Sequence, residues 1–158
     1  QLPEDSLLLI LGKGPLEQEL KTLAQTLQVM HKVKFAGSVV DARRYFKAFD
    51  LFVLTSDHEP FGMVLLEAMV AELPIICSNS GGGAEVVRDF SPLFTLGNAS
   101  ELSQLMVDMA TNNLLYLQEV SQKQLVDRFS DQAARRNFFA LIRKAGFSSA
   151  ALSDDSNK

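Results

Sequence analysis

Two carboxylates, Glu59 and Glu67, have seven residues between them in the stretch Glu59-Pro60-Phe61-Gly62-Met63-Val64-Leu65-Leu66-Glu67-Ala68-Met69. Pro60 suits the entry to a helix, where its missing N–H costs nothing. From Met63 to Ala71 every residue but Glu67 is apolar, which predicts a helix buried on all faces. Glu67 would then lie inside it, roughly 7–8 Å along the axis from the helix start. An ionised carboxylate so placed is costly unless something hydrogen-bonds to it. Glu59 falls in the preceding loop. Between the two, the first turn offers the N–H groups of Phe61, Gly62 and Met63 at the positive end of the helix dipole. That combination describes an anion site with a carboxylate on each side, and a phosphorylated, hydroxyl-rich ligand satisfies all three parts.

The elements that must position these groups alternate in type. The apolar run Ser6 to Leu11, closed by Gly12, predicts a buried parallel strand. Pro15 opens a helix with Leu16, Leu20, Leu23 and Leu27 on one packing face. Further strands are expected at Val33 to Ala36, Leu51 to Thr55, Pro74 to Cys77 and Leu93 to Thr95. A short helix at Ala42 to Phe49, capped by Asp41, and one at Ala84 to Arg88 lie between them. The alternation implies an α/β fold: a doubly wound, Rossmann-like parallel sheet with helices on both faces, joined by right-handed crossovers. In such a sheet ligands bind beyond the carboxyl ends of the strands. The loops at Gly12, at Gly37-Ser38-Val39, at Ser56 to Gly62 and at Ser80 to Gly83 should therefore meet on one rim. After Gly97 only helices are expected, at Ala99 to Thr111, Leu114 to Asp127 and Asp131 to Ala145, with Ser130 capping the last. Residues 1–147 thus read as one domain and Ser148 to Lys158 as a disordered tail.

Bulk properties exclude several classes. The 158 residues suit one domain with a substantial core, and 47% hydrophobic with 22% charged residues is an ordinary globular composition. A net charge of -4 argues against nucleic acid as a partner. The single cysteine, Cys77, makes no internal disulfide and points to a reducing, cytoplasmic setting. No apolar run is long enough to span a bilayer. The opening Gln1-Leu2-Pro3-Glu4-Asp5 is acidic and has no initiating Met, as expected of a processed or excised chain.

The glutamate stretch resembles the Glu-x7-Glu signature of the glycosyl transferases group 1 family, which has the two-domain GT-B architecture. The surrounding motifs agree in order: Gly12-Lys13-Gly14-Pro15, Phe35-Ala36-Gly37, the strand Leu51 to Ser56, Glu59 to Ala68, Pro74-Ile75-Ile76 and Gly81-Gly82-Gly83-Ala84-Glu85. The resemblance covers about residues 7 to 142. It implies the donor-binding, C-terminal half of a retaining, hexosyltransferase-type enzyme that uses a nucleotide-diphospho-sugar, needs no metal or other cofactor, and acts on an acceptor such as lipopolysaccharide or another cell-surface glycan. By the same resemblance Glu67 holds the ribose diol, Glu59 is the catalytic-side carboxylate facing the donor sugar, and the backbone of Phe61, Gly62, Met63 and Val64 holds the diphosphate. Ser38 and Val39 would lie by the base. Gly12 would line the donor site, and Gly62 would let the phosphate approach without a Cβ in the way.

Each assignment has a plainer alternative. Glu59 and Glu67 can be a surface-loop and a core-paired glutamate. Gly12-Lys13-Gly14 and Gly81-Gly82-Gly83 read as loops that touch a ligand phosphate or, as readily, as ordinary strand-to-helix turns, and the first is no Walker loop. Lys13 can be solvated rather than on a phosphate, and His58 an exposed loop histidine rather than a substrate contact. His31, Cys77 and His58 form no metal constellation. Arg128, Arg135, Arg136, Arg143 and Lys144 read as a solvated face, with peripheral membrane contact as the alternative.

Nothing before Leu7 matches the family segment that carries an Arg and a Lys beside the diphosphate, and the N-terminal acceptor domain has no counterpart. The chain alone is therefore expected to bind donor weakly and to transfer little. Two rival classes remain: a non-catalytic nucleotide- or sugar-phosphate-binding module, and a receiver-like signalling domain, which the Leu11-Gly12-Lys13 strand end disfavours for want of acidic residues. The last helix should also leave Phe139 or Phe147 exposed, because Phe138, Leu141, Ile142 and Ala145 already define its packing face.

Overall fold

The computed structural model describes residues 2–112 and 128–144. The chain forms two compact units, Gln1–Gln118 and Glu119–Lys158. In the first unit the order is β1 (Leu8–Leu11), α1 (Glu17–Thr26), a 3-10 turn (Met30–Lys32), β2 (Val33–Gly37), a 3-10 segment (Ala42–Ala48), β3 (Phe52–Leu54), α2 (Met63–Val70), β4 (Ile75–Ser78), α3 (Gly81–Val87), β5 (Leu93–Phe94) and α4 (Ala99–Asn112). The fold is the α/β, Rossmann-like arrangement expected, with every strand pair parallel. The helix expected at Leu114 to Asp127 lies outside the described residues, as does the tail.

The strands pair as two sets, β1 with β2, and β3–β4–β5 in that order. Among the described residues no strand is hydrogen-bonded between β1 and β3, so the continuous sheet anticipated from the alternation is divided. The core lies under the second set. All four residues of β4 are buried, and α2, α3 and α4 pack against it. Ile75, Ile76, Leu65 and Val87 are fully enclosed, and burying such a side chain contributes about 1.5–3 kcal/mol. Phe46, from the 3-10 segment, fills the space beside β3 with its ring centroid 5.6 Å from that of Phe52.

The first set differs from its sequence reading. Leu8 and Leu9 are exposed, and among the described residues β1 has a neighbouring strand on one side only. Helix α1 is also turned the other way: its inward stripe is Glu17, Lys21 and Ala24, and Leu16, Leu20, Leu23 and Leu27 face outward. Ala24 is small enough for close approach, while Lys21 lays its ammonium 5.2 Å from the centroid of Phe35 on β2 and bonds Glu17 at 2.6 Å. Asp41 does not cap with its side chain. It adopts a left-handed conformation, and its carboxylate binds Arg43 at 2.6 Å and Arg44 at 2.5 Å.

Helix α4 opens on an Asn98-Ala99-Ser100-Glu101 box. The Glu101 amide donates to Asn98 Oδ1 at 3.1 Å, and the Glu101 carboxylate accepts from the Thr95 amide at 2.8 Å. In the second unit α5 (Asp131–Lys144) starts as expected, with the Ala133 amide donating to Ser130 Oγ at 3.1 Å. Phe138 and Leu141, expected to pack, are instead exposed; Phe139 is half-buried with its ring edge-on to Phe138. Phe147 lies outside the described residues.

Candidate functional site

Helix α2 begins at Met63, later than Pro60 suggests, because Gly62 precedes it in a left-handed conformation with φ +80°. The chain turns there from the Glu59–Phe61 loop directly into the helix. A Cβ at Gly62 would lie 2.7 Å from Leu65 Cδ1, within the closed core. An L-residue in this backbone geometry costs roughly 1–2 kcal/mol before that overlap is counted. Gly62 is thus required by the turn and by Leu65.

The amide of Gly62 is not free, as the sequence had suggested. It donates to Glu59 Oε1 at 2.8 Å. The Glu59 carboxylate therefore sits at the amino end of α2, against the positive end of its dipole. Beyond it, helix geometry leaves the Met63 and Val64 amides without intrahelical acceptors. The Leu65 amide already bonds the Gly62 carbonyl at 2.8 Å. Phe61 is exposed, and His58 is exposed in the same loop.

Glu67 lies about 6 Å along the axis from Met63, one turn into α2. It is half-buried rather than enclosed. The helix buries Leu65, Ala68 and Met69, and presents Met63 and Val70 at 63% and 58% exposure. Met63, Glu67 and Val70 follow i, i+4 and i+7, so Glu67 belongs to the open stripe. That exposure removes the desolvation cost a buried glutamate would carry. Among the described residues no hydrogen bond reaches its carboxylate, which leaves both oxygens available to donors from outside.

The four loops of the expected rim are joined in two pairs. The Gly12 amide donates to the Gly37 carbonyl at 2.8 Å, and a Cβ at Gly37 would touch Lys13 at 3.4 Å. Gly12, Lys13 and Ser38 are exposed there, and Val39 is half-buried. The second pair joins the Glu59 loop to Ser78–Gly83. The Gly82 and Gly83 amides, read from sequence as possible phosphate donors, both donate to the Glu59 carbonyl, at 2.8 and 3.3 Å. This engagement was not legible in the sequence, because a backbone carbonyl leaves no residue signature.

Cys77 is the third residue of β4 and is buried. Burial pushes its thiol above the usual range; the Ser78 side chain opposes that, and the Glu59 charge adds to it. The folded chain therefore keeps a proton that the unfolded chain releases, and Cys77 draws stability away as pH rises past about 8.5. At neutral pH we expect Cys77 to resist iodoacetamide in the folded chain and to react fully in urea. Rapid labelling of the native chain would contradict its burial. Among the described residues no group of three His, Cys, Asp or Glu side chains is placed to hold a metal.

The family described as Glycosyl transferases group 1 matches residues 1–133. A curated relative, the lipopolysaccharide core biosynthesis glycosyltransferase LpsE of Rhizobium meliloti (strain 1021), is 32% identical over 137 residues, covering 84% of this chain and 40% of that protein. A second, the N-acetyl-alpha-D-glucosaminyl L-malate synthase of Bacillus anthracis, is 33% identical over 110 residues, 66% of this chain and 29% of that one. Among solved structures, Anabaena HepE in complex with UDP superposes with a TM-score of 0.76 at 25% identity, over 91% of this chain and 42% of that chain. The same protein in complex with UDP-glucose gives 0.75. The chain spans about 40% of the length of the LpsE relative. With the family match extending over most of its residues, the chain belongs to the glycosyl transferases group 1 family.

Proposed function

We propose that this chain is the donor-binding half of a retaining glycosyltransferase that takes a hexosyl group from a nucleotide-diphospho-sugar. The observation that carries the reading is the pairing of Glu59 and Glu67 about the first turn of α2, one capping the turn and the other open on the helix face. Glu67 receives the two ribose hydroxyls, since a carboxylate offers two acceptor oxygens and among the described residues no protein donor occupies them. The Met63 and Val64 amides receive the diphosphate. Glu59, held by Gly62, faces the hydroxyls of the donor sugar, and no metal is required in this account. Gly12, Lys13, Ser38 and Val39 form the second bank of the site, with the base at Ser38 and Val39.

The similarity to HepE, whose complexes hold UDP and UDP-glucose, supports a uridine nucleotide as the first ligand to test. The name of LpsE supports a lipopolysaccharide or other cell-surface glycan as acceptor. That acceptor would be bound by a further domain of the complete enzyme. Among the described residues no helix is long and apolar enough to cross a membrane; contact with a membrane-borne acceptor would be peripheral, through the basic C-terminal face.

A thermal-shift screen of UDP-, GDP- and ADP-sugars tests the reading. A ligand at 100 times its dissociation constant adds about 2.7 kcal/mol, which for a domain of this size raises the melting temperature by roughly 5–10 °C. One nucleotide class should do so. No shift with any of them contradicts donor binding by this chain. If shifts appear but the complete polypeptide transfers no sugar, the chain is a non-catalytic nucleotide-sugar module instead.

A further inference from the structure

Four hydrogen bonds tie the Ser56–Gly62 loop to the turn between β4 and α3. The buried Ser78 hydroxyl donates to the Ser56 carbonyl at 2.6 Å, and the Ser80 hydroxyl to the Asp57 carbonyl at 2.6 Å. The Gly82 and Gly83 amides then converge on the Glu59 carbonyl. The bonds step along the loop in register, from Ser56 to Asp57 to Glu59, and end at the candidate catalytic carboxylate.

The glycines of α3 make this approach possible. A Cβ on Gly82 would stand 2.0 Å from the Pro60 carbonyl oxygen and 2.9 Å from its carbon; one on Gly81 would stand 2.6 Å from the Glu59 oxygen. These are rigid backbone atoms, so any side chain at Gly82 must displace Glu59 and Pro60. At its other end Glu59 is fixed by its bond to the Gly62 amide. Backbone and side chain are thus held by two different helices.

We propose that Ser80 and Gly82 are positioning residues for Glu59: the Ser78–Gly83 turn is a clamp that sets where the Glu59 carboxylate stands relative to the first turn of α2, and so sets recognition of the sugar rather than of the nucleotide. The proposal rests on the reading that Glu59 faces the donor sugar. It removes the Gly82 and Gly83 amides from the phosphate-binding set, because both are already engaged.

Two readouts test it on Gly82→Ala, Ser80→Ala and Ser80→Thr. The first needs no ligand: amide hydrogen exchange at Gly62, whose bond to Glu59 depends on the clamp, against exchange at Ile75 and Ile76 in β4. Gly82→Ala should speed Gly62 exchange by about tenfold or more while β4 exchange stays unchanged. The second is the ratio of affinities for UDP-glucose and UDP. Gly82→Ala should lower it about tenfold, Ser80→Ala about two- to fivefold, as expected for one lost hydrogen bond, and Ser80→Thr, which keeps the hydroxyl, should restore it. If Gly82→Ala does not fold, the Ser80→Ala and Ser80→Thr pair carries both readouts. Unchanged Gly62 exchange, exchange rising equally in β4, or equal losses for UDP and UDP-glucose each overturn the clamp. If Gly62 exchange rises selectively while the parent chain binds neither ligand, the clamp holds and the donor-site reading fails.

Discussion

Glu67→Ala should lower nucleotide affinity by roughly 10- to 100-fold, the loss expected when hydrogen bonds to a charged group worth about 1.5–3 kcal/mol disappear. The same substitution should leave stability within about 0.5 kcal/mol of the parent. Glu67 lies on the open stripe of α2 between Met63 and Val70, and no protein donor reaches its carboxylate among the described residues. Removing it opens no core cavity and strands no partner, and alanine is the better helix former. Titration of UDP into parent and variant, with melting curves for both, separates the two effects. Undiminished UDP affinity would remove Glu67 from the site. A large loss of stability would make it a structural residue.

Glu59→Gln should behave in the opposite way. Gln retains an oxygen to accept the Gly62 amide, so the entry to α2 and UDP binding should persist within about twofold, well below one hydrogen bond's worth. What is lost is the charge proposed to face the sugar. In the complete polypeptide, turnover should fall by about a hundredfold or more, the usual scale for a carboxylate acting at the reacting centre. Glu59→Ala should do further harm, since it also leaves the Gly62 amide without its acceptor. Normal turnover in Glu59→Gln would end the catalytic assignment.

How much of this was legible follows from where each feature is encoded. The two glutamates, the apolar helix between them and the alternation of strands with helices are local patterns, and the elements appear near their expected bounds. Of the two side-chain caps expected, Ser130 at α5 caps as its residue type suggests, and Asp41 does not. What escaped depends on partners distant in sequence. The division of the strands is a matter of pairing, on which the composition of β1 is silent. The outward leucines of α1 reflect a choice between two stripes, made by Ala24 and by Lys21 over Phe35. Glu67 was read as buried because its helix is apolar all round, yet exposure is set by what covers each face, and the Met63–Val70 face is open. The glycine run Gly81–Gly83 read equally as a ligand loop and as an ordinary strand-to-helix turn. That the Gly82 and Gly83 amides meet the carbonyl of Glu59 is recorded only in the folded chain.

The central claim is that nucleotide-diphospho-sugar lies at the first turn of α2 between Glu59 and Glu67. Its most direct test is amide chemical-shift mapping of the 15N-labelled chain during titration with UDP-glucose. The account predicts that the largest perturbations fall on Met63, Val64 and the residues around Glu67, with smaller ones at Gly12 and at Ser38-Val39, and that they saturate together. Saturable shifts confined to other parts of the chain, or no shift at Met63 and Val64 when UDP-glucose is bound, would contradict it.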